Sequence, residues 1–78
     1  MKVLFYGPLA DQLGSELEIG LSGGCSVGEL RGALSRRHPN AARDIARSRA
    51  FIGCIVVRDE HRASAGDKVE FLPPVSGG

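Results

Sequence analysis

Two thiols, two imidazoles and nine side-chain carboxylates are the groups with which this sequence could do acid–base, nucleophilic or metal chemistry. They are poorly arranged for any of it. Nucleophilic catalysis needs a base beside a Ser or Cys and a third group to orient that base. His38 and His61 fall in segments that read as surface, so both are expected to be solvated. Cys25 sits in a Gly/Ser turn ahead of a helix start, a position where a thiol pKa can fall. Cys54 lies in the most apolar stretch and reads as a small core residue. The two cysteines form neither a CxxC pair nor a metal-ligand cluster. Asp59, Glu60 and Asp67 fall in turns, where acids favour turn geometry. No phosphate-binding loop, dinucleotide fingerprint or zinc spacing is present.

One group remains, the end of "FLPPVSGG". Paired prolines favour extended geometry and lower the entropy of the arm that follows the last strand. Gly77 and Gly78 carry no Cβ, so their backbone can enter a narrow channel in another protein. The expected reactive group is the Gly78 carboxylate, carried on an arm. A carboxylate is inert until activated, for instance as a mixed anhydride with AMP. The sequence offers no nucleotide site, so a partner must supply ATP and the adenylating centre. No cofactor is expected on this chain itself.

The elements that would hold such an arm are legible in order. "KVLFYG" reads as a strand. "PLADQLG" reads as one or two helical turns, with Pro8 preset for the start and Gly14 for the stop. "ELEIGL" alternates, with Leu17, Ile19 and Leu21 on one face, and should pair antiparallel with the first strand. "SGGC" is a turn. "SVGELRGALSRRHP" opens with Ser26 and has Glu29 three residues on, the capping-box spacing. Val27, Leu30 and Leu34 form its apolar stripe, while Arg31, Ser35 and Arg36 point away; Pro39 ends it. "NAARDIARSR" is a weaker helix with Asp44 and Arg47 spaced for a surface pair. "AFIGCIVV" reads as a single interior strand. "RDEHR" and the Gly66-Asp67 pair make turns. "KVEFL" closes the order, Val69 and Phe71 on one face and Lys68, Glu70 and Leu72 on the other. Pro73 should end pairing.

The expected fold class is α+β: a small mixed sheet on one main helix, with a flexible C-terminal tail. A hairpin, a crossover helix and later strands follow the β-grasp order of ubiquitin-like domains. A ferredoxin-like split βαβ is the competitor, but only one good amphipathic helix is present. Residues 1–72 should form the domain and residues 73–78 the extended tail. At 78 residues the chain leaves little room for a deep catalytic cavity. A formal net charge of +1 argues against a nucleic-acid partner held by bulk charge. Arg36, Arg37, Arg43, Arg47 and Arg49 read as a solvated helical face. No apolar run approaches the ~20 residues that span a bilayer, so no membrane partner is expected. The expected compartment is the cytoplasm, with reduced thiols.

The ending "GDKVEFLPPVSGG", the opening "KVLFYGPLADQLG" and the helix "SVGELRGAL…RRHP" together resemble the MoaD/ThiS family of sulfur carriers, over essentially the whole chain. Within that family the likeness is greatest to small subunits of molybdopterin synthase. Gly53-Cys54 departs from the Asn-Gly-like pair common in relatives. The resemblance implies that an E1-like adenylating enzyme activates Gly78 with ATP, and that a sulfur donor converts it to a thiocarboxylate. The loaded tail would enter the large subunit of molybdopterin synthase and give sulfur to cyclic pyranopterin monophosphate, forming the dithiolene. This chain would not be catalytic alone; the large subunit would supply the catalytic groups. Phe71, Leu72, Pro73, Pro74, Val75, Ser76 and Gly77 would form the docking surface, with a plain core role the other reading of Phe71. Carriers for thiamine, cysteine or tRNA thiolation are alternatives. So are a ubiquitin-like protein modifier and a simple adaptor whose sheet edge binds a partner.

Overall fold

A computed structural model describes residues 1–20 and 23–74. Strand β1 is Lys2–Phe5, helix α1 Pro8–Leu13 and strand β2 Glu16–Glu18. A two-residue strand β3, Cys25–Ser26, runs into helix α2, Val27–Arg37. A 3-10 turn, Pro39–Ala41, leads to helix α3, Ala42–Arg47. Strands β4 (Arg49–Ile52), β5 (Ile55–Val57), β6 (Arg62–Ala63) and β7 (Lys68–Leu72) follow.

Among the described residues, the main sheet has five strands in the order β2-β1-β7-β4-β5. The first hairpin forms as expected, with Val3 opposite Leu17. The last strand in the chain is the middle strand of the sheet. It pairs parallel with β1, Phe5 opposite Phe71, and antiparallel with β4, Ala50 opposite Phe71. Only a crossover through α2 can bring these two parallel strands side by side. The arrangement is the ubiquitin-like β-grasp rather than a split βαβ.

The core follows from the two periodicities. Val3 and Phe5 on β1, and Val69 and Phe71 on β7, face the same side. Val27, Leu30 and Leu34 of α2 close over them, joined by Leu9 and Ile45. Burying each large side chain contributes about 1.5–3 kcal/mol before entropy is counted. The capping box of α2 is complete. The Glu29 N–H donates to Ser26 Oγ at 3.0 Å, and the Ser26 N–H to Glu29 Oε1 at 2.8 Å.

Several expectations need correction. "AFIGCIVV" is a hairpin, not one interior strand: it reverses at Gly53-Cys54, both at positive φ, and Ile52 lies opposite Ile55. The second arm is therefore a sheet edge, and Ile55 is 67% exposed. Cys54 sits exposed in the turn rather than in the core. "SGGC" ends in β3, which pairs with β6; a Cβ on Gly24 would stand 2.2 Å from the Ala63 carbonyl oxygen, so only glycine permits this approach. In "ELEIGL" the strand covers only Glu16–Glu18, though buried Ile19 still exchanges backbone hydrogen bonds with Met1, at 2.8 and 3.0 Å; Leu21 lies outside the described residues. Asp44 accepts from Gln12 Nε2 at 2.7 Å, and no Asp44–Arg47 pair forms.

Candidate functional site: the root of the C-terminal arm

Because β1 and β7 run parallel, their C-terminal ends lie together. The arm therefore leaves the sheet beside Tyr6 and Gly7, which directly follow β1. The Tyr6 N–H donates to the Phe71 carbonyl at 3.3 Å, extending the ladder past the last paired residues. The Tyr6 hydroxyl donates to Glu70 Oε2 at 2.5 Å. This hydrogen bond raises the Tyr6 pKa above its ordinary value, because the carboxylate accepts the proton that ionisation would remove.

Gly7 is the floor beneath Pro73. Its φ is +64° and ψ −142°, a conformation that a Cβ disfavours. A Cβ built there would stand 3.1 Å from Pro73 Cγ. Gly7 also starts α1, its carbonyl accepting from the Ala10 N–H at 3.0 Å. One glycine thus sets both the helix entry and the seat of the first arm proline.

The expected docking residues divide. Pro73 and Pro74 are exposed. Leu72 is half-buried on the outer face of the sheet, in a shallow depression with Tyr6, Phe51, Cys54 and Glu70. Phe71 is corrected: its ring is 0% exposed, stacked on Phe5 with centroids 6.0 Å apart, so it offers a partner no surface. The odd–even alternation along β7 forces this, since Glu70 and Leu72 take the outer face. Val75, Ser76, Gly77 and Gly78 lie outside the described residues.

Sequence reasoning missed what holds Phe71 from beneath. The Arg31 guanidinium lies 5.2 Å from the Phe71 ring centre. Its Nε donates to Asp59 Oδ1 at 2.8 Å, and its Nη1 to Ser48 Oγ at 3.0 Å and to the Ile45 carbonyl. Arg31 follows Leu30 on the flank of the apolar stripe. The expectation that Arg31 points away from the stripe is corrected: its stem follows the core face and its side chain is only 14% exposed.

The other candidate groups are dispersed. Cys25 is buried beside α2, and burial, aided by the Glu29 charge, pushes its thiol pKa up rather than down. His61 is exposed and His38 partly so, with no side-chain hydrogen bond for either among the described residues. The five arginines noted above are exposed, but they do not share one helical face: Arg36 and Arg37 are on α2, Arg43 and Arg47 on α3, and Arg49 opens β4. Among the described residues, no group of three His, Cys, Asp or Glu side chains could hold a metal ion.

A β-grasp domain whose central strand leads into Pro73 and Pro74 is a small ubiquitin-like fold. The ThiS family matches residues 3–78, and the chain belongs to that family. The MoaD/ThiS resemblance carried by the sequence motifs therefore holds.

Solved structures share the fold. SAMP1 from Haloferax volcanii superposes with a TM-score of 0.78 at 24% identity, covering 99% of this chain and 97% of that one. A putative molybdopterin converting factor subunit 1 from Pyrococcus furiosus gives 0.81 at 24% identity, with 95% of each chain covered. A chain from the complex of subunits 1 and 2 of the Helicobacter pylori molybdopterin-converting factor gives 0.67 at 22%, covering 99% and 96%. No curated protein sequence matches.

Proposed function

We propose that this chain is a sulfur carrier whose cargo atom rides on the Gly78 carboxyl, and that it serves as the small subunit of a molybdopterin synthase. In the first step a carboxylate oxygen attacks the α-phosphorus of ATP, bound by an E1-like partner, and pyrophosphate leaves. In the second, a sulfide-level nucleophile from a sulfur donor attacks the carbonyl carbon and AMP leaves, giving the thiocarboxylate. The large subunit then receives the arm and passes the sulfur to cyclic pyranopterin monophosphate. The chain works in the cytoplasm and binds no cofactor of its own.

The observation that carries the reading is the topology: the arm continues the central strand β7, rooted on Gly7 and Tyr6 rather than on a loose edge. Family membership supports it. Half-buried Leu72 and Phe51, flanking Glu70 on the outer face, supply an apolar surface near the arm's root for the large subunit.

Intact mass after co-expression with the cognate activating enzyme and sulfur donor tests the reading. The expected result is a gain equal to one oxygen replaced by sulfur, abolished when Gly78 is deleted. An unchanged mass overturns the carrier reading. A second reading, a protein modifier whose Gly78 forms an isopeptide bond with lysine, is favoured by the fold shared with the archaeal modifier. Covalent ladders on other proteins, without the sulfur gain, would select it. Sulfur gain without molybdopterin formation would point to thiamine, cysteine or tRNA thiolation.

A further inference from the structure

Beside the arm's root, on the side away from the Leu72 depression, is a small cavity of about 60 Å³. It is lined by Tyr6, Pro8, Leu9, Asp44, Pro73 and Pro74. Its walls are apolar apart from one charge, the Asp44 carboxylate. Small-molecule and cofactor sites run to roughly 300–1,000 Å³, so this one has room only for the end of a single side chain.

The charge is held in place but not neutralised. Asp44 Oδ2 accepts from Gln12 Nε2 at 2.7 Å, and the same amide donates to the Pro8 carbonyl at 3.3 Å. A neutral donor therefore ties α3 to the first turn of α1 and fixes the carboxylate at the cavity. Among the described residues no cation comes within salt-bridge distance of Asp44, although Arg43 and Arg47 sit on the same helix. One carboxylate oxygen has no hydrogen-bond donor among the described residues. Tyr6, 41% exposed, adds a ring face, the kind of surface on which cations rest.

We propose that this cavity receives one lysine or arginine side chain of the E1-like enzyme that takes up and activates the arm. The aliphatic stem packs on Tyr6, Pro8, Pro73 and Pro74, and the charged end meets Asp44. Long cationic side chains bury their stems against apolar surface while the head seeks a counter-charge, which is the pattern these walls offer. Because Pro73 and Pro74 form part of the wall, the occupant touches the arm and the folded domain together. An unfolded chain has the arm but not the cavity, so the contact lets the partner recognise a folded carrier. The inference rests on the carrier reading above and adds the chemistry of the partner's contact.

The test uses full-length chain and its cognate E1-like activating enzyme, with pyrophosphate release as the readout. Asp44→Asn keeps the acceptor for Gln12 and removes the charge; Asp44→Lys reverses it. Thermal unfolding and circular dichroism establish that both variants are folded. The expected result is a KM for the carrier raised about tenfold by Asp44→Asn and further by Asp44→Lys, with kcat little changed. The effect should shrink as salt is added. A partner Lys or Arg changed to Glu should restore binding of Asp44→Lys. If both variants load with the wild-type KM while the wild type loads normally, the cavity inference alone is overturned. If Asp44→Lys changes self-association but not KM, the occupant is a second copy and the inference is again overturned. If wild type itself releases no pyrophosphate, the carrier reading fails and the inference with it.

Discussion

The Arg31 guanidinium stands 5.2 Å from the centre of the Phe71 ring, on the side of the sheet opposite Leu72 and its depression. One helix side chain thereby joins α2 to the central strand, to the end of α3 through Ile45 and Ser48, and to the loop at Asp59. With its side chain only 14% exposed, removing it uncovers the Phe71 ring and takes away the donor to the Ser48 hydroxyl, while the Ile45 carbonyl keeps the Ser48 hydroxyl at 2.7 Å. Arg31→Ala should lower stability by about 2–3 kcal/mol. Urea unfolding measures this, and a loss below half a kilocalorie, roughly the scale of surface changes, would show that the hub is dispensable.

Gly7→Ala should also destabilise, by about 1–3 kcal/mol, through backbone strain at φ +64° and the contact with Pro73. The double variant Gly7→Ala/Pro73→Ala should recover only the contact share. Full recovery in a thermal melt would mean that the backbone conformation is not strained.

The turn at Cys54 points the other way. A non-glycine residue at φ +67° stores strain that Gly or Asn would relieve. Cys54→Gly or Cys54→Asn should stabilise by about 0.5–1 kcal/mol, a melting-point rise of several degrees in a domain this small. An unchanged or lower melting point would contradict this.

These cases show what the sequence could and could not reveal. Ser26, Glu29, Val27, Leu30 and Leu34 declare their roles within one or two helical turns, so α2 and its cap were legible. The alternation of Val69, Glu70 and Phe71 was equally local. The hairpin at Gly53-Cys54 was not, because cysteine gives no turn signal and "IVV" on an edge looks like "IVV" in a sheet interior. Cys25 is buried by a strand partner, Ala63, that no local pattern announces. Tyr6 and Gly7 meet the arm only because β1 and β7 are parallel, a property of the whole fold.

The pH dependence of stability should have two separable limbs. Hydrogen bonds from Ser26 depress the Glu29 pKa, so its contribution is full above the ordinary carboxylate range and lost as pH falls through the lowered value. Glu29→Gln should flatten that acid limb. Tyr6 is shifted upward by Glu70, so its contribution is full below the ordinary phenol pKa and lost as pH rises through the raised value. Tyr6→Phe should remove the alkaline limb. Chemical unfolding across pH reads both; a limb that survives its substitution belongs to another group.

The thiols should react in the order Cys54 before Cys25. Cys54 is exposed, whereas Cys25 is buried with its thiol pKa raised. Timed alkylation followed by peptide mass mapping checks this. Equal rates would mean that the β3–β6 flap opens faster than the reagent attacks.

The position of β7 has a mechanical consequence. A pull on Leu72 along the strand axis runs across hydrogen bonds on both sides, perpendicular to those with antiparallel β4 and at a slant to those with parallel β1. The load is borne in shear by two ladders at once, instead of opening bonds one after another as it would at the edge strand β5. A partner can therefore draw hard on the arm without unravelling the domain behind it.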